Sequence, residues 1–217
     1  GKIIVSGDDT EHNVYRHVIG SQDLEKLIQD STSGYISCIS QDERLVYVSY
    51  STAISGQMLT LFNTSDETLT PVLNLGGHNV RAISENNNKA LIEYWAGNSD
   101  GLKVHKIDTN TVQIVNLPAG KSYRWIDCIS EDGAGTVFVM QDDATNDEEW
   151  YHLDTDTLTV QLIKAEPPAD YGFFAAEISP NGIIVSVQGN NGITSLYNKA
   201  TQEFYDPLAA VAKDDSR

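Results

Sequence analysis

Four stretches of the chain follow one pattern: CISQDERLVYV, AISENNNKALIEY, CISEDGAGTVFV and EISPNGIIVSV. Aligned on their Ile-Ser pairs (Ile39-Ser40, Ile83-Ser84, Ile129-Ser130 and Ile178-Ser179), they recur at separations of 44, 46 and 49 residues. A period of this size limits a chain to stacked or radially repeated supersecondary units. After each pair comes a turn of Asp, Asn and Gly, residues that tolerate the backbone angles a tight turn demands. Apolar runs follow at Leu45–Val48, Ala90–Ile92, Val137–Met140 and Ile183–Val187. They are continuous rather than alternating, as expected of strands covered on both faces.

Each repeat then continues through a second hairpin (LTLFNTSDET, KVHKIDTNTV, WYHLDTDTLTV, TSLYNKATQEF) and ends in a short strand, VLNL, IVNL, VQLI or YDPL. Four strands per repeat of about 45 residues predict an all-β chain, a β-propeller of four-stranded blades. The helical spacing i, i+3, i+4 is not sustained anywhere. The opening segment, KIIVSGDDTEHNVYRHVIGSQDLEKL, matches the second to fourth strands of a repeat and lacks the first. The closing segment VAKDDSR, joined to GKIIVS, reads like ISQDER-LVYVS. We therefore expect five blades, closed by the C-terminal strand, in a single domain over residues 1–217. Closure of this kind removes exposed sheet edges. A slice of a larger ring is the competing arrangement.

The motif in ISPNGIIVSV followed by SLYNKATQ resembles the WD40-like repeat of TolB-type propellers, in which a Ser-Pro/Asp-Gly turn leads into a hydrophobic strand and a Y-x-x-D-x-x-T turn. The likeness runs through all four complete repeats; ISEDGAG and ISPNG fit it well, ISQDER and ISENNNK in part. It implies a propeller and a platform role, and it implies no catalytic residue. No Trp-Asp pair of true WD40 repeats is present.

Charge narrows the partners. Asp and Glu number 31 against 14 Lys and Arg, a net charge of −17. Such a surface repels phosphate backbones and anionic membranes, so nucleic acid is not an expected partner. No apolar run reaches the roughly 18–20 residues needed to cross a bilayer. The opening GKIIVSG carries no initiator Met or signal-peptide pattern, and we expect a mature form or a monomeric domain excised from a longer protein. Few lysines and loops rich in Asn, Asp, Ser and Thr lean toward an extracytoplasmic setting, periplasmic or secreted.

The strand entering each repeat carries the candidate site. Four positions before each Ile lie Tyr35, Asn79, Trp125 and Phe174; His78 and Arg124 come one place earlier, and Arg81 and Asp127 two before their isoleucines. Tyr35, His78, Arg81, Arg124, Trp125, Asp127 and Phe174 are thus the expected binding residues for a protein partner, small ligand or glycan at the mouth of a central channel. Rings supply contact area there, and Arg or His supplies direction. The alternative is that the aromatics plug a five-fold core. Acidic loops at Asp142–Glu149 and Asp8–His12 lack the D-x-D-x-D-G spacing of a calcium loop, and no metal or cofactor is expected. Elbow, P-loop and HExxH motifs are missing, so the expected function is non-catalytic. The enzyme alternative is a glycan-acting propeller using Asp127 and Glu177 as its carboxylate pair. Cys38 and Cys128 share one repeat position two blades apart, too far for a disulfide, and are expected as buried thiols.

Overall fold

The computed structural model of the chain describes residues 3–8, 13–74, 76–96, 99–126, 128–164, 175–179, 184–188, 194–198, 201 and 203–205. Among these residues all regular elements are strands, and no helix is long and apolar enough to cross a membrane. The chain forms two compact units, Gly1–Ile114 and Val115–Arg217.

The N-terminal unit holds three antiparallel sheets. The first has three strands in sequential order, β1 (Ile3–Asp8), β2 (Asn13–Val18) and β3 (Leu24–Lys26). The second is β4 (Ser31–Ile39), β5 (Leu45–Thr52), β6 (Gln57–Asn63) and β7 (Thr68–Asn74). The third is β8 (Gly77–Ile83), β9 (Lys89–Ala96), β10 (Ser99–Lys106) and β11 (Thr111–Ile114). In the C-terminal unit β12 (Lys121–Ile126), β13 (Gly135–Asp142), β14 (Glu148–Asp154) and β15 (Thr159–Lys164) make one sheet. A second consists of β16 (Ala175–Ile178), β17 (Ile184–Gln188), β18 (Thr194–Asn198) and β19 (Glu203–Tyr205). Every sheet is a meander, so each expected repeat is one four-stranded sheet and the opening segment supplies only three strands. The strand expected to complete that first sheet lies in residues 206–217, outside the described residues.

The structure gives the Ile-Ser repeat its reason. Ser40, Ser84 and Ser130 close the hairpin between the first and second strands of their sheets. In each, the serine N–H donates to the carbonyl five residues on (Leu45, Lys89, Gly135), and the hydroxyl accepts from the N–H of that residue at 2.9, 3.1 and 2.9 Å. The same hydroxyl donates to the Asx two places later, Asp42, Asn86 or Asp132, at 2.7–2.8 Å. The residue three places after the serine has a left-handed backbone: Glu43 at φ 60°, Asn87 at 57° and Gly133 at 74°. The three serines are buried, so their hydroxyls would be costly to leave unbonded. Ser130→Ala is expected to lower stability by about 1–2 kcal/mol, measured by urea denaturation; an unchanged midpoint would show the hydroxyl to be dispensable.

Three of the four continuous apolar runs are buried on both faces, as their pattern predicts, and the burial of the fourth, at Ile183–Val187, lies outside what is described. Val46, Tyr47 and Val48 on β5, Ala90, Leu91 and Ile92 on β9, and Val137 to Met140 on β13 are each at most 2% exposed. Among the described residues two clusters pack within the N-terminal unit. Phe62, Val46 and Val48 pack with Val14 and Leu27 of the first sheet, while Tyr47, Leu45, Leu59 and Leu61 meet Val80, Ala90 and Ile92 of the third. A polar chain runs through the second contact. The Tyr47 hydroxyl donates to His105 Nδ1 at 2.6 Å, His105 Nε2 donates to Asn110 Oδ1 at 3.0 Å, and Asn110 Nδ2 donates to the Pro71 carbonyl at 3.0 Å. The cysteines form no disulfide, and they are half-buried rather than buried as expected. Cys38 sits at the edge of its apolar cluster, where burial raises its thiol pKa.

Candidate functional site

The first strands of neighbouring sheets carry the expected site residues. In the N-terminal unit β4 and β8 lie side by side, joined by side chains. Ser37 Oγ donates to Asn79 Oδ1 at 2.6 Å and accepts from the Val80 N–H at 2.7 Å. Strand pairing slips by one residue between Ile36 and Cys38 and again between Val80 and Ala82, so Ser37 and Arg81 are the extra residues of two bulges. A bulge re-aims a side chain, and Arg81, 46% exposed, is turned onto the buried carboxylate of Glu93.

Tyr35 is 43% exposed yet tethered. Its hydroxyl donates to the His78 carbonyl at 3.3 Å and accepts from Gln57 Nε2 at 3.0 Å. Gln57 also donates to Ser49 Oγ at 2.6 Å. The His78 imidazole, expected at the mouth, is instead only 2% exposed. Side chains alternate along β8, so His78 shares the buried face with Val80 while Asn79 and, after the bulge, Arg81 take the other. Its Nε2 lies 3.2 Å from Lys103 Nζ, and burial together with that cation lowers its pKa. Lys103 in turn stands 4.4 Å over the Tyr94 ring, a cation–π contact. Glycines make room for these rings: a Cβ on Gly101 would meet Tyr94 at 2.6 Å, and one on Gly77 would overlap the Trp95 indole at 1.8 Å.

In the C-terminal unit Arg124 is exposed and Trp125 half-buried on β12. The register with β13 shifts between Tyr123 and Trp125, leaving Arg124 on a bulge. Among the described residues Arg124 forms no ion pair. Asp127 and Phe174 lie outside the described residues. Glu177 is on β16, paired with Ser186. The acidic loop following β13 proves to be tied to a cation: Lys121 Nζ is 2.5 Å from Asp142 and 2.6 Å from Glu149, whose Oε2 also accepts from the Tyr151 hydroxyl at 2.6 Å. The Lys121 bond and the loop N–H groups of Ala144 and Thr145 hold the Asp142 carboxyl down to about 2. Burial, then the Glu149 bond, pushes Tyr151 up to about 12. Among the described residues no three His, Cys, Asp or Glu side chains are grouped as a metal site.

Sequence reasoning missed Gln57, Ser49, Glu93 and Lys103, because they come from second and third strands rather than the first. The signal was present: each is a polar residue within or beside a buried apolar run. The pairing of His78 with Arg81 at one mouth was also testable, since residues three apart on a regular strand face opposite ways.

Antiparallel meanders strung in sequence among the described residues, together with the solved structures they resemble, support a TolB-like β-propeller fold. The chain is similar to a putative TolB from Agrobacterium tumefaciens, with 16% identity and a TM-score of 0.58 over 94% of this chain and 76% of that one. It is also similar to TolB from Acinetobacter baumannii (15%, 0.52, 92% and 49%) and to an oligogalacturonate lyase solved with manganese (12%, 0.63, 94% and 61%). The chain thus spans about half of the Acinetobacter protein and less than two thirds of the lyase. No protein-family model matches the chain, and no curated protein matches it.

Proposed function

We propose that the chain is a non-catalytic interaction module that captures a protein partner through first-strand side chains, in an extracytoplasmic setting. One observation carries the reading. Arg124, a cation in a chain of net charge −17, stands exposed on a bulge beside Trp125 with no ion pair among the described residues. Arg, Trp and Tyr are the side chains that dominate binding energy at protein interfaces. The binding residues of the C-terminal unit are Arg124 and Trp125, and those of the N-terminal unit are Tyr35 and Arg81. Similarity to two TolB structures supports a platform of this kind. In this reading the repeat is WD40-like, and five blades close through the C-terminal segment into one domain.

Capture from an extract of the source organism tests it, comparing the native chain with Arg124→Ala/Trp125→Ala. A protein retained only by the native form, with the melting temperature of the variant within a few degrees, is the expected result. Equal retention by both forms would sink the reading. A collapse of the melting temperature would make Trp125 a core residue; Arg124→Ala alone then decides the matter.

A further inference from the structure

Beside Tyr35 the second sheet holds a cavity of about 330 Å³ that goes beyond the partner-binding reading. Its walls are Ser33, Gly34, Tyr35, Ser49, Tyr50, Ser51 and Gln57, from the start of β4, the end of β5 and the start of β6. All seven belong to one sheet of one unit.

The lining decides the chemistry of what fits. On the face that carries Tyr35 it presents the hydroxyls of Ser33, Tyr35, Ser49 and Ser51 and the Gln57 carboxamide, with no group ionised at neutral pH, while Tyr50 packs on the opposite face against the cluster shared with the first sheet. An anion would meet no cation there, and the net charge of −17 opposes it further. A cation would meet no carboxylate. An apolar ligand would bury hydroxyls without compensation. A neutral molecule that both donates and accepts, with an apolar face for an aromatic ring, meets every wall on its own terms.

The groups divide into those that fix the site and those left to bind. Gln57 Nε2 donates to Ser49 Oγ and to the Tyr35 hydroxyl, which is held in turn by the His78 carbonyl. Tyr35 is therefore an exposed ring locked in place, so little ordering cost remains on binding. Among the described residues the hydroxyls of Ser33 and Ser51 make no hydrogen bond, nor does Gln57 Oε1. Gly34, paired with Tyr50, lies behind the site: a Cβ there would point to the opposite face, within 3.2 Å of Tyr50 Cβ and 3.3 Å of the Ser49 carbonyl. The volume sits at the lower end of the roughly 300–1,000 Å³ typical of small-ligand sites.

From this we infer that the cavity binds an uncharged sugar ring, stacked on Tyr35 and hydrogen-bonded by the serines and Gln57.

The test is titration of the full chain by NMR with the methyl glycosides of glucose, galactose, mannose and N-acetylglucosamine. Glucuronate and an uncharged dipeptide amide run as controls. At least one neutral glycoside is expected to shift the amides of residues 33–35, 49–51 and 57, with glucuronate binding more weakly. Tyr35→Ala and Gln57→Leu are each expected to weaken that binding on the order of tenfold. If Tyr35→Ala unfolds the chain, Tyr35→Phe keeps the ring and removes the tether. The inference is overturned if no neutral glycoside shifts these amides, if glucuronate or the dipeptide binds as well, or if Gln57→Leu binds as tightly as native. No partner protein is present in this titration, so its failure leaves the capture result with Arg124 and Trp125 standing, and the reverse holds too.

Discussion

Phe62→Ala is expected to lower the stability of the chain by about 3–5 kcal/mol, the usual cost of removing a fully buried aromatic ring. The ring is 0% exposed and stands between Val46 and Val48 of its own sheet and Val14 and Leu27 of the first. Two sheets line the void, and both are anchored by hydrogen-bonded strands, so neither collapses readily into it. Urea denaturation should show a large fall in midpoint with little change in slope. Leu69→Ala, at a 42% exposed position on β7, serves as the control and should cost well under ~1 kcal/mol. A loss at Phe62 no greater than the control would mean that the first and second sheets are not held together by this cluster.

The second large effect concerns acid. The Tyr47–His105–Asn110 chain works only with His105 neutral, because Nδ1 accepts from Tyr47 while Nε2 donates to Asn110. Burial lowers the His105 pKa, with the Asn110 bond opposing it in part. The unfolded chain then binds a proton at higher pH than the folded one. Stability is therefore fully present above the unfolded value of about 6.5 and falls as pH drops below it, until the folded pKa is reached. His78, also lowered, adds to the same slope. Tyr47→Phe keeps the ring but strips His105 of its donor, at an expected cost of about 1–3 kcal/mol. His105→Leu should cost a similar amount by leaving the Tyr47 hydroxyl buried and unbonded. It should also flatten the loss of stability as pH falls below about 6.5. An acid slope as steep in His105→Leu as in the native chain would show that other groups carry it.

Much of this fold is legible in the linear chain. The spacing of Ile39, Ile83, Ile129 and Ile178 determined the repeat, and the serine and Asx positions determined the hairpins. Both depend on contacts spanning five residues, as the Ser130–Gly135 pairing shows. The unbroken apolar runs likewise foretold strands buried on both faces. Only the tertiary structure decided the sites. Which face of β8 turns inward, burying His78 beside Lys103, and where Arg81 finds the Glu93 carboxylate depend on how neighbouring strands and sheets pack. The partner of Tyr47 lies 58 positions away in sequence. The cavity beside Tyr35 is shaped by Gln57, which reaches Ser49 on the neighbouring strand and Tyr35 on the strand beyond it. Local hydrogen bonding writes itself into a period that can be counted; meetings between sheets depend on register and packing, and these emerge only when the sheets come together.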